Sequence, residues 1–164
     1  MPVEGRYPTF SRDYEYVRHG TLSLFACMDL VSGKIIHKVL SRNRSREFIE
    51  FLSTIESTNP VKEITMTLDN YKTHTSKETR SYLETIKREL KFVFTPKHAS
   101  WLNAIENFFS KITRNLLKTI RVESIDELSK RIDLYIDQLN EEPIKPSWKY
   151  RLKEKEKIPG GIFI

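Results

Sequence analysis

The chain has 164 residues, with 28 Lys+Arg against 22 Asp+Glu for a formal charge of +6, and 38% of it is hydrophobic. That balance suits one water-soluble globular domain with a polyanionic partner such as nucleic acid, although a merely solvated basic surface has the same charge. The lone Cys27 excludes internal disulfides and reads as a small packed hydrophobe, and no apolar stretch reaches the roughly 20 residues of a membrane span, so a soluble, cytoplasmic product is expected.

Residues 1–20, with Pro2, Gly5, Pro8 and Gly20 and no sustained period, read as an irregular lead-in. Thr21–Leu30 and Ile35–Leu40 are strand candidates joined by the turn residues Val31-Ser32-Gly33-Lys34, together a hairpin. Ser45 is placed to cap a helix whose Phe48, Phe51, Leu52 and Ile55 recur at helical spacing, with Pro60 at its exit. Glu63–Asp69 alternates Ile64, Met66 and Leu68 with threonines, which predicts a strand. A helix over Ser76–Arg88 sets Tyr82, Leu83, Ile86 and Leu90 on one side, and Leu90–Phe94 returns as a strand ended by Pro96.

Trp101, Ile105, Phe108, Phe109, Ile112 and Leu116 then form a helical stripe. Ile125, Leu128, Ile132, Tyr135, Ile136 and Leu139 form another, behind the Ser124-x-x-Glu127 capping box. Residues 141–164 hold three prolines, Gly160, Gly161 and a lysine-rich patch, and read as a basic tail, loosely held apart from Trp148. The expected organisation is thus a lead-in over 1–20, an α/β unit of order ββαβαβαα over 21–140, and a tail over 141–164.

Two carboxylates stand out. Asp69 closes the apolar run EITMTLD at a strand's carboxyl end, and Glu106 falls 37 positions later inside PKHASWLNAIENFF. Open sheets present ligands beyond the carboxyl ends of their strands, and hard divalent cations take one or two carboxylates together with substrate phosphates. Each acid also has a plainer reading: Asp69-Asn70 is ordinary turn chemistry, and Asn103 with Glu106 matches the N-cap and N3 positions of a capping box.

Residues 16–26 (YVRHGTLSLFA), 68–74 (LDNYKTH) and 95–106 (TPKHASWLNAIE), followed by Asn140 and Lys145-Pro146-Ser147-Trp148, resemble the catalytic domain of bacterial insertion-sequence transposases in the mariner-like DDE superfamily. The resemblance covers roughly residues 14–148 and implies an RNase H-like mixed sheet flanked by helices. It also implies three acids holding two divalent ions, Mg²⁺ or Mn²⁺, for in-line displacement at phosphorus during DNA strand cleavage and transfer. By position Asp69 matches the second acid and Glu106 the third.

The first acid has no match. In the family it lies on the first, central strand of a sheet ordered 3-2-1-4-5, upstream of the segment matching YVRHGTLSLFA. Asp13, in the lead-in, and Asp29, beside the hairpin turn, are poor replacements. The expectation is a partial domain lacking its central strand, with two open sheet edges, marginal in stability and inactive alone. It is either a decayed remnant or the second part of an enzyme completed by an upstream-encoded transposase fragment. No helix-turn-helix module matches before residue 20.

The alternative is a non-catalytic DNA-binding or subunit-interaction module that modulates full-length transposase subunits, and a third reading is a small nuclease with a substitute acid. Lys72, His74, Lys97, His98 and Asn103 are candidate nucleic-acid contacts around the acids. Each has a bland counterpart, a solvated loop side chain or, for Asn103, a helix cap. Trp101 reads first as a packing residue, and Lys111, Arg114, Lys118 and Arg121 as a basic helix face, which is usually only solvated.

Overall fold

A computed structural model of the chain describes residues 19–58, 63–69, 71–86, 89–94, 103–145 and 161–163. Five strands and four α-helices follow in chain order: β1 (Ser23–Asp29), β2 (Ile35–Leu40), α1 (Ser45–Thr58), β3 (Glu63–Leu68), α2 (Lys77–Thr85), β4 (Glu89–Phe94), α3 (Asn103–Ile112), α4 (Ile125–Glu141) and β5 (Gly161–Phe163). The strands make one mixed sheet in the order β2-β1-β5-β3-β4, so the chain is an α/β protein, as its alternating periods predict.

Period-two alternation on β1 and β2 divides the side chains between two cores, one on each face of the sheet. Phe25 and Cys27 of β1 join Ile64, Met66 and Leu68 of β3 under α1, which contributes Phe48, Phe51, Leu52 and Ile55, all buried. The intervening Ala26, with Ile35 of β2, faces Ile105, Phe108 and Ile112 of α3 and Ile132 and Ile136 of α4. Cys27 is fully buried, as its apolar setting predicts, and burial pushes its thiol far above the ordinary range. On β3 the intervening Thr65 and Thr67 are buried as well, which fits a strand covered on both sides.

The hairpin turn is built as its residues demand. Asp29 Oδ1 accepts from the Val31 amide at 2.8 Å and Oδ2 from the Ser32 hydroxyl at 2.6 Å, so this carboxylate is engaged in the turn. Gly33 has φ +79°, and a Cβ there would lie 2.6 Å from the Ile144 carbonyl oxygen, so glycine is required on two counts. Ser76 caps α2 by accepting from the Thr79 amide, and Ser124 caps α4 by accepting from the Glu127 amide, while Glu127 returns to the Glu123 amide at 2.8 Å.

Three features differ from the sequence reading. The second helix ends at Thr85 rather than Arg88, because Ile86 is already extended at φ −72°, ψ 127°. The stripe after Trp101 does not stay α-helical: Thr113–Leu117 is a π-helical turn in which the Lys118 amide donates to the Thr113 carbonyl at 2.9 Å. Most consequentially, part of the tail expected to be loosely held enters the sheet. Strand β5 lies between β1 and β3, in the slot expected to be open, antiparallel to β1 at Met28 and Asp29 and parallel to β3 at Thr65–Thr67.

Helix α4 is tied to the hairpin by polar contacts. His37 Nε2 meets Asp133 Oδ1 at 3.0 Å, and the Asn140 side chain both accepts from the Ile35 amide and donates to the Ile35 carbonyl, each at 2.8 Å. Loss of one side chain there orphans two part-buried main-chain groups. Asn140→Ala should therefore lower unfolding stability by about 1–3 kcal/mol, read as a fall in urea midpoint at unchanged slope. An unchanged midpoint would show that this bracket is not holding the helix.

Candidate functional site

Asp69 follows the last residue of β3, and its position is fixed by the local turn it starts. Its Oδ1 accepts from the Tyr71 amide at 3.0 Å, and His74 Nδ1 lies 3.0 Å from the same oxygen and 3.2 Å from the Asp69 carbonyl. The turn chemistry anticipated for this residue is thus real. Among the described residues it uses only one carboxylate oxygen, and Oδ2 has no hydrogen-bond partner. The Asp69 side chain is 66% exposed while that of His74 is 11% exposed. The imidazole is seated against the Phe48 ring at a centroid distance of 4.5 Å, so the hydrophobic core holds the group that holds the acid.

Glu106 stands in the first turn of α3, exposed, and among the described residues its carboxylate makes no hydrogen bond or ion pair. The helix is oriented by Ile105, Phe108 and Ile112, which are buried against β1 and α4 and leave Glu106 on the opposite side of the stripe. Asp69 and Glu106 line one cleft of about 360 Å³, together with His74 and the β1 residues Ser23–Ala26. Two acids far apart in the chain are brought to the same opening. Asn43 and Tyr71 also line it and were not singled out in the sequence. Tyr71 sits inside the LDNYKTH motif and could have been found there, whereas nothing marks Asn43 in the loop before α1.

Of the remaining candidates, Lys72 is exposed in the turn after Asp69. Lys97, His98 and Trp101 lie outside the described residues, as does the side chain of Asn103. Arg114, Lys118 and Arg121 are exposed and Lys111 is half-buried, so the basic face beyond α3 is present. Among the described residues no three of His, Cys, Asp and Glu gather to hold a metal. The free donors in the cleft are hard carboxylate oxygens, which fit a magnesium-type cation that completes its shell with water or phosphate oxygens.

The chain is thus a mixed α/β protein with two acids opening into one cleft, one at the end of a strand and one at the start of a helix. Residues 5–129 match the family model of the DDE superfamily endonucleases, and the chain belongs to that family, which is the one its transposase-like motifs point to. It is also similar to the insertion element IS630 uncharacterized 39 kDa protein of Shigella sonnei, with 25% identity over 113 residues. That alignment takes in 68% of this chain and 33% of the relative, so the chain spans only about a third of its length.

Because His74 Nδ1 faces two acceptors on Asp69, the neutral ring should carry its proton on Nδ1 rather than on the Nε2 favoured by free histidine. Nitrogen-15 spectra of histidine-labelled protein will show the Nδ1–H pattern for one of the four histidines. Assignment of the Nε2–H form to His74 would mean that the imidazole does not orient the acid.

Proposed function

We propose that this chain is part of the RNase H-like catalytic domain of an insertion-sequence transposase, with the catalytic unit centred on residues 21–140, and that it acts on DNA in the cytoplasm. The observation that carries the reading is the convergence of Asp69 and Glu106 on one cleft with carboxylate oxygens left over. Asp69 and Glu106 are the residues that would hold a divalent cation, Mg²⁺ or Mn²⁺. A cation bound there supplies Lewis-acid stabilisation of charge on phosphoryl oxygens during an in-line displacement.

The protein's own contribution is placement. His74 and the Tyr71 amide fix the rotation of the Asp69 carboxylate, leaving Oδ2 for a ligand. The buried flank of α3 fixes Glu106. Lys72 beside the cleft and Lys111, Arg114, Lys118 and Arg121 beyond it provide cations for DNA phosphates without reading bases. His74 has its Nδ1 committed to Asp69 and would meet phosphate only through Nε2. Lys97, His98 and Asn103 complete the proposed phosphate contacts by their place in the matching segment.

No residue of the chain matches the family's first acid, and the third ligand position is unfilled among the described residues. On this reading the described residues supply two of the family's three acids, and the site is completed by residues outside them. The same features support a second reading, a DNA-binding or interaction module that joins full-length transposase subunits. Its carrying observation is the exposed basic face beside an incomplete acid set.

Calorimetric titration with Mn²⁺ separates the readings. The parent chain should bind one Mn²⁺ weakly, in the millimolar to sub-millimolar range. Asp69→Asn and Glu106→Gln should each weaken binding by at least about tenfold, or roughly 1.4 kcal/mol. Plasmid nicking should stay at background with either metal. Binding that is indifferent to both substitutions would remove the metal-centre reading and leave the module. Nicking abolished by Glu106→Gln would show a self-sufficient nuclease.

A further inference from the structure

The cleft offers more than two acids and a phosphate require. A cation and phosphoryl oxygens are satisfied by polar walls, yet Leu24 of β1, Phe109 of α3 and Tyr71 line the same space of about 360 Å³. Leu24 and Phe109 are half-buried and Tyr71 is 50% exposed, so apolar surface is presented to whatever enters. Apolar walls with a few placed polar groups suit the body of an organic group rather than a bare ion.

The Tyr71 ring is braced without being buried. Its amide donates to Asp69 Oδ1 at 3.0 Å, which ties its backbone to the acid. Its ring meets the His74 imidazole in an edge-type contact at a centroid distance of 5.9 Å, and that imidazole rests on Phe48 at 4.5 Å. Every nucleobase has a face that stacks on such a ring, with little regard to sequence. Within a closed duplex those faces are taken by neighbouring pairs, so only a base outside the stack can use it. Asn43 lines the cleft as well, and its amide carries both donor and acceptor for the edge of a base. Arg42 and Arg44 flank it in the chain, both exposed and without an ion pair among the described residues. Guanidinium groups fork onto phosphate oxygens, so this loop brings cations for a strand's backbone to the rim of the cleft.

We propose that the cleft takes one unpaired nucleotide of a DNA strand, its base stacked on Tyr71 and met at its edge by Asn43, its flanking phosphates held by Arg42 and Arg44. Leu24 and Phe109 supply the apolar surround. Tyr71 is then a specificity-determining residue that selects a frayed or single-stranded segment over closed duplex. The inference rests on the reading of the cleft as a site for DNA and adds the form of DNA that enters it.

The test titrates the full chain, in Mg²⁺, into a single strand of about twelve nucleotides with a central 2-aminopurine, a fluorescent base whose emission falls when it stacks. The same strand fully paired is the competitor. The single strand should bind at least about tenfold more tightly than the duplex and lose emission at saturation. Tyr71→Ala should weaken single-strand binding at least about tenfold and abolish the loss of emission, and Tyr71→Phe should restore both. Equal affinity for the two forms, no binding of the single strand, or a Tyr71→Ala chain that matches the parent in affinity and emission overturns the proposal. Failure of the underlying reading shows elsewhere, as Mn²⁺ binding indifferent to Asp69→Asn and Glu106→Gln, whereas the strand measurements turn on the Tyr71 ring.

Discussion

The structure depends on helix α1 bridging two half-sheets that are poorly joined through their backbones. On one side lies the β1–β2 hairpin, on the other the parallel pair β3–β4, and among the described residues the short ladder of β5 runs between them. Side chains make the connection instead. Phe48, Phe51, Leu52 and Ile55 of α1 pack at once on Phe25 and Cys27 from the hairpin and on Ile64, Met66 and Leu68 from β3. Phe25 meets the Phe51 ring at 5.7 Å and the Phe48 ring at 6.5 Å. Burying each such side chain is worth about 1.5–3 kcal/mol, whereas a backbone hydrogen bond nets about 1 kcal/mol, so the helix outweighs the short ladder as the joint between the halves. The same wedge reaches the cleft, since Phe48 seats the imidazole of His74, which faces Asp69.

What the sequence revealed, and what it hid, follows from the range of the interactions involved. The hairpin, α1, β3 and α4 were legible because each carries its own period and its own stop: alternation in Ile64–Met66–Leu68, helical recurrence in Phe48–Phe51–Leu52–Ile55, the capping box at Ser124. The π-helical turn at Thr113–Leu117 left no mark, because Ile112 and Leu116 keep helical spacing whether the local bond is to the fourth or the fifth residue. Strand β5 was invisible for a stronger reason. A three-residue strand that starts with the second of two glycines carries no period, and its placement is decided by partners distant in the chain on β1 and β3. At the cleft, the strand-end place of Asp69 and the helical place of Glu106 were readable, whereas Asn43 is there only because of how the chain passes between β2 and α1.

The two readings of Asp69 that the sequence left open turn out not to compete. A carboxylate has two oxygens with several lone pairs, and a tight turn needs one of them. Using Oδ1 for the Tyr71 amide and His74 restrains the side chain, and among the described residues Oδ2 is not engaged. In the proposed site, a carboxylate ordered in this way would lose less entropy on binding a cation. Asp29 shows the contrast. Its two oxygens are both taken, by Val31 and Ser32, so an acid of the same type at a strand end on the same sheet is fully occupied with turn structure.

The sheet and the cleft are physically linked in this molecule, because they share strand β1. The cleft containing Asp69 and Glu106 is walled by Ser23–Ala26 of β1, the same strand whose Met28 and Asp29 pair with β5. The link between the half-sheets and a wall of the cleft are therefore parts of one strand, and a change in how β1 sits in the sheet is felt at the opening where the two acids meet.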